Sequence, residues 1–219
     1  MTLLKLGFAA LLASGMALNG VAAAQSVDIK VTGSITPAAC IPVFEGGATV
    51  DYGKIAASSL NVSESTSLGV KEVSMSISCD AKTRVAIRFN DNREGTVPTE
   101  MAGSSAHLWY GLGKASGTPI GGYQMYLANE GVTLDGEKGF AVYSSDSGET
   151  WKSDKSDIVV NKTARQWRSW SLTSGGQPDA FSHLNSILKV EAFVNKAEAL
   201  PLEDKIQLDG LATIELVYL

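Results

Sequence analysis

Apolar and polar residues alternate in several short stretches of this chain, and no long segment repeats at the spacing of a helix. From Ser26 to Ile35, Val27, Ile29, Val31, Gly33 and Ile35 share one face, while Asp28, Lys30, Thr32 and Ser34 share the other. A period of two marks a strand with one buried face. Val73, Met75, Ile77 and Cys79 alternate with Glu72, Ser74, Ser76 and Ser78, and Val85, Ile87 and Phe89 follow in the same manner. The short Asp80-Ala81-Lys82 between them reads as a hairpin or a tight corner. Further strands are expected near Ala106 to Leu112, Tyr123 to Ala128, Phe140 to Ser144, Arg165 to Ser171 and Leu188 to Asn195. The last runs from Leu211 to Leu219, with Ala212, Ile214, Leu216 and Tyr218 on one face. Gly- and Ser-rich breaks separate these stretches, a pattern that predicts an all-β sandwich. Asp51 to Leu68 is polar and Ser-rich and predicts no more than one helical turn.

The first 24 residues read as a secretion signal. Lys5 stands before a mostly apolar run to Leu18, and Ala22-Ala23-Ala24 offers small residues for cleavage before Gln25. The apolar run is interrupted by Gly7, Ser14 and Gly15, so it is short for a membrane span, and no membrane span is expected in the mature chain. The expected organisation is a signal peptide at residues 1–24, a free N-terminal strand at 25–39 and one β domain at 40–219. A net charge of −5 argues against nucleic-acid partners. In an exported chain the two cysteines, Cys40 and Cys79, read as a disulfide. His107 and His183 show no ligand spacing to each other or to the cysteines, so no metal is expected.

The order of these features resembles a chaperone–usher fimbrial subunit, or pilin, and within that family is similar to the longer group called probable β-fimbriae subunits. Signal, alternating strand, Cys40, Asp51-Tyr52-Gly53, a strand into Cys79-Asp80, and a C-terminal strand with Tyr218 penultimate carry the likeness. It covers Gln25 to Phe89 and Leu211 to Leu219. The resemblance implies an immunoglobulin-like sandwich that lacks its last strand and is completed by donor-strand exchange. It implies no enzymatic activity and no cofactor. Its partners would be a periplasmic chaperone, an outer-membrane usher and neighbouring subunits, and its destination a fimbrium on the cell surface. Carried onto this sequence, Val27, Ile29, Val31 and Ile35 would fill pockets of the next subunit. Gly33 would lie where two backbones come close. Ala212, Ile214, Leu216 and Tyr218 would line the acceptor side, and the Leu219 carboxylate would meet basic residues of the chaperone. Two departures stand out. Ile206 occupies the position where many pilins carry glycine, and the chain is longer than a typical major subunit.

Two other motifs invite chemistry. Ser144 to Trp151 fits S-x-D-x-G-x-T-W, the Asp-box known from sialidases, whose physical content is a hairpin. Asp146 would accept from turn amides, Gly148 would take a positive φ, and Trp151 would pack beneath. In RQWRSW, alternation sends Trp167 and Trp170 to opposite faces. An exposed tryptophan could stack on a sugar, which makes a carbohydrate-binding adhesin or minor subunit the alternative to a shaft subunit. A secreted enzyme ranks third, because neither a G-x-S-x-G elbow nor H-E-x-x-H occurs.

Overall fold

The computed structural model describes residues 29–33 and 39–219. The expected signal peptide and the residues Val27 and Ile35 lie outside the described residues. The chain divides after Thr36 into two units, and every described strand belongs to the one that begins at Pro37.

The strands of the first half are β1 (Cys40–Phe44), β2 (Thr66–Thr83), β3 (Val85–Asp91), β4 (Tyr110–Gly111), β5 (Lys114–Ala115), β6 (Thr118–Pro119) and β7 (Gly121–Leu127). Those of the second half are β8 (Thr133–Leu134), β9 (Glu137–Lys138), β10 (Phe140–Ser144), β11 (Ile158–Val159), β12 (Trp167–Ser171), β13 (Phe181–Val194) and β14 (Ala212–Tyr218). The described strands pair antiparallel throughout. One sheet runs β1-β2-β13-β7-β11, with β4 beside β7 and the β8–β9 hairpin beside β13. The second runs β10-β12-β3-β14, and β5 and β6 form a small ribbon. No helix among the described residues is long and apolar enough to cross a membrane.

Both larger sheets feed one core, as a β-sandwich requires. Met75 and Ile77 of β2, Met125 and Leu127 of β7, and Leu184 and Leu188 of β13 come from one sheet. Val85, Ile87 and Phe89 of β3 and Trp170 of β12 come from the other. Side chains of alternate residues on these strands therefore meet between two layers. The expected disulfide forms between Cys40 and Cys79, which sit directly opposite in the β1–β2 ladder.

At the β11 flank, Arg168 ties the two sheets together. Its residue is 3% exposed, and its guanidinium donates from Nη2 to the Val159 carbonyl of β11, 2.7 Å away. The guanidinium also lies over the Tyr143 ring, 5.6 Å from its centroid. Burial pulls the Arg168 pKa down to about 10. A second buried charge, Asp91, is held by Lys162 at 3.0 Å and by the Gly111 amide.

Several expected boundaries move. The strand expected at Ala106 to Leu112 is instead a 3-10 helix, Gly103–Leu108, followed by the two-residue β4. His107 thus stands in a helical turn rather than a strand. The corner expected at Asp80 to Lys82 lies at Arg84, because β2 continues to Thr83 before the chain crosses to the other sheet. His183, expected in a loop, is an exposed residue of β13. The single helical turn within Asp51 to Leu68 is the 3-10 segment Ala57–Ser59.

Candidate functional site

The flank opposite β11 is open. Here β1 ends one sheet and β14 ends the other, and an apolar groove of about 1450 Å³ lies between them. Met125, Leu188 and Val190 line its base. Pro42, Phe44 and Tyr52 stand on the β1 side, and Ile206, Ala212 and Ile214 on the β14 side. Ala212, Ile214 and Leu216 are half-buried against the core, as alternation predicts, while Tyr218 and Leu219 are exposed.

The hydrogen-bonding parity of β14 decides what its edge offers. Asn92 N–H donates to the Leu211 carbonyl, and Leu219 N–H donates to the Arg84 carbonyl. Odd-numbered residues of β14 therefore bond to β3. The backbones of Ala212, Ile214, Leu216 and Tyr218 point away from β3, and β14 pairs with no other described strand. Four N–H and four C=O groups thus form an unpaired ladder edge, and its Ala212 and Ile214 rungs border the groove.

The edge of β1 is different. Asp80 N–H donates to the Ala39 carbonyl and Glu45 N–H to the Ser74 carbonyl, so odd residues of β1 face β2. Cys40, Pro42 and Phe44 face away from it. The Cys40 N–H donates to the Tyr218 hydroxyl at 3.0 Å, and Pro42 has no N–H. The Phe44 carbonyl accepts from Gly47 N–H, which leaves the Phe44 N–H as the free donor of this edge. Proline and side-chain capping are known means of blunting an edge strand.

Tyr52 organises the far wall. In Asp51-Tyr52-Gly53, the Asp51 carboxylate accepts the Gly53 N–H, and Gly53 takes a φ of +69°. That turn aims the Tyr52 ring at a bulge in the long β2–β13 ladder. Glu191 pairs with Val70 and Phe193 with Ser67, so Leu68 and Gly69 together oppose Ala192. Gly69 has the positive φ, +80°, that such a bulge requires. The Tyr52 hydroxyl donates to the Val190 carbonyl at 2.8 Å and accepts from Ala192 N–H at 3.2 Å. Burial raises its pKa. The 201–211 segment is fastened separately: the Arg93 guanidinium grips the Asp209 carboxylate, which lowers the Asp209 pKa.

Of the N-terminal residues, Ile29 and Val31 are 88% and 91% exposed and belong to no described strand.

The tryptophans divide differently from the sugar-stacking expectation. Trp170 is fully buried between the sheets, edge-on to Phe181, so it is a core residue and offers no face to a ligand. Trp167 lies half-buried on the outer face of the second sheet, packed with Ala86, Val142 and Trp151. Gly148 sits against its ring, where an added Cβ would come within 2.8 Å of Cζ3. The Asp-box is the hairpin its residues imply. Ser144 Oγ donates to Asp146, as do the Thr150 N–H and hydroxyl, and these bonds hold the Asp146 carboxyl well below the usual carboxylate range. Gly148 has φ +90°, and the Trp151 indole N–H donates to the Gly148 carbonyl.

Residue pattern alone does not single out Tyr52, Pro42 or the bulge at Ala192. Tyr52 enters the sequence reading only as part of Asp-Tyr-Gly, and Pro42 in a short run after a cysteine carries no signal by itself.

Comparison with known proteins adds relatives of comparable length. Residues 29–124 match the family described as "Protein of unknown function (DUF1120)". Protein GltF of Escherichia coli (strain K12) is 29% identical over 90% of this chain and 91% of its own length. Uncharacterized protein YhcF of the same organism is 26% identical over 89% of this chain and 90% of its own. The chain is thus similar along nearly all its length to both proteins, and over residues 29–124 to a family whose description assigns no activity.

Proposed function

We propose that this protein is a structural subunit of a bacterial surface fimbria that polymerises by accepting a strand from a second copy or a related subunit. The observation that carries the reading is the unpaired edge of β14 beside an apolar groove. Strand addition at such an edge draws affinity from backbone bonds and register from alternate side chains in pockets. In this reading the fold is an immunoglobulin-like sandwich of pilin type, short of one strand. The occupant is Ser26 to Ile35 of the neighbour, whose Ile29 and Val31 are exposed in this chain. Four aliphatic side chains buried at about 2 kcal/mol each contribute about 8 kcal/mol before association costs. A periplasmic chaperone covers the groove first, an outer-membrane usher receives the subunit, and the subunit ends in a fimbrium on the cell surface. The protein works without catalysis or cofactor.

The test is deletion of Ser26 to Ile35. The shortened protein should still reach the periplasm and bind a chaperone, and it should no longer join end to end. Normal fibres from the deleted chain would refute the reading.

A further inference from the structure

The open flank is not open along its whole length. At one end the Tyr218 side chain reaches across from β14 and its hydroxyl takes the Cys40 N–H of β1 at 3.0 Å. The Tyr218 backbone meanwhile points away from β3, into the same space. One residue therefore offers the last rung of the free ladder and also closes the gap in front of it. The bond it makes is unlike others on this flank. It joins a ladder N–H to a side chain from the opposite sheet, and that N–H is one of two donors that β1 turns outward, Pro42 having none.

Length sets what an incoming strand must do here. β14 has seven residues. The alternating segment from Val27 to Ile35 is longer, nine residues, which extend about 30 Å at about 3.4 Å each. A strand of that length paired along the full edge of β14 runs up to Tyr218 and meets the cross-groove bond. Both cannot occupy the Cys40 N–H.

We infer that the Tyr218 hydroxyl is a placeholder for a backbone carbonyl of the incoming strand. It caps the Cys40 N–H while the groove is empty and is displaced when residues 26–35 of a second copy seat along β14. The inference rests on the reading of the groove as a strand acceptor and adds to it the step that completes seating. The empty subunit gains from the arrangement. An N–H left bare at that edge would be a template for unscheduled pairing, and the hydroxyl satisfies it without filling the groove.

The experiment uses the full chain with an excess of a synthetic peptide of residues 26–35. Tyr218→Phe keeps the ring and removes the competing bond, so the variant should bind the peptide about fivefold more tightly than the unaltered protein. That factor equals about 1 kcal/mol, the usual net worth of one hydrogen bond. In the unaltered protein, the Cys40 amide resonance should shift on peptide binding, a measurement that does not depend on the variant folding well. If the unaltered protein binds the peptide but Tyr218→Phe binds equally or less tightly, or the Cys40 amide stays where it was, the placeholder role is overturned while the groove remains an acceptor. If the unaltered protein does not bind the peptide at all, the acceptor reading fails and takes this inference with it.

Discussion

Replacing Tyr52 with phenylalanine isolates the contribution of one hydroxyl to the wall of the groove. The ring is kept, so the packing against the core changes little. What is lost is the pair of bonds to the Val190 carbonyl and the Ala192 N–H. Val190 stays in register with Lys71 of β2, so the hydroxyl adds a second bond to its carbonyl there, and the bond to the Ala192 N–H supports the ladder beside the bulge at Leu68-Gly69. Two hydrogen bonds at a partly buried position are therefore lost. Each net bond is worth about 1 kcal/mol, and an abandoned buried group costs about 1–3 kcal/mol. Half-burial of Tyr52 admits some water, so a loss of about 2 kcal/mol is expected. For a domain of this size that is a fall in Tm of about 4–8 °C. Urea unfolding followed by circular dichroism reads the change directly, with an unaltered m value expected because the fold is the same. A loss below about 0.5 kcal/mol would refute the account, since it would mean that the bulge is satisfied without the tyrosine.

Three further outcomes follow from the core and the turns. Replacing both Cys40 and Cys79 with serine opens a loop with a sequence separation of 39 and should cost up to about 4 kcal/mol in chemical denaturation, the chain-entropy value for such a loop. An unchanged midpoint would count against it. Lys162→Met leaves the Asp91 carboxylate, whose side chain is 1% exposed, without its cation. Because amides of Gly111 and Arg93 still reach that carboxylate, the loss should fall at the lower end of the 3–5 kcal/mol typical of a broken buried pair, about 3 kcal/mol by thermal melt. Asp146, Asp135 and Asp209 all have carboxyls held below their ordinary pKa. Such groups contribute stability that is fully present above the unfolded-state value of about 4 and is lost as pH falls through the lower folded-state values. Stability should therefore decline on acidification below about pH 4, and Asp146→Asn should flatten that decline; an identical pH profile for the variant would show that the Asp-box carboxylate does not contribute.

Short apolar strands bounded by Gly- and Ser-rich breaks are legible from the chain alone. Phe140 to Ser144 is observed as expected, and Leu211 to Leu219 differs from the observed strand by one residue at each end. Phe140 to Ser144 shows as an apolar run buried on both faces, and Leu211 to Leu219 by the face of Ala212, Ile214 and Leu216 that meets the core. Only the second half of β13 shows in the pattern. Its first residues include His183 and Asn185, whose side chains face solvent, and only Leu188 onward is densely apolar. The first third of β2 is hidden for a related reason, since Thr66 to Glu72 is mostly exposed and is held by its ladder with β13 rather than by burial. Ala106 to Leu112 misleads in the opposite direction. Its apolar residues resemble a strand, but Gly103-Ser104-Ser105 starts a 3-10 turn that runs on through Leu108 and leaves only Tyr110–Gly111 as strand. The groove is out of reach of any local pattern. Phe44, Tyr52, Met125, Val190 and Ile214 converge on it from widely separated parts of the chain. Which groups of β1 and β14 are free depends on ladder parity, and parity is set by pairing partners that no single stretch reveals.

Pro42 has an effect out of proportion to its size. By removing an N–H midway along β1, it makes that strand a poor neighbour for another β-strand, its own twin in a second molecule included. On this flank β1 turns out only the N–H groups of Cys40, already capped, and Phe44, whereas Ala212, Ile214, Leu216 and Tyr218 of β14 keep theirs. Backbone pairing at this side of the molecule is accordingly biased to enlarge the four-stranded sheet rather than the eight-stranded one.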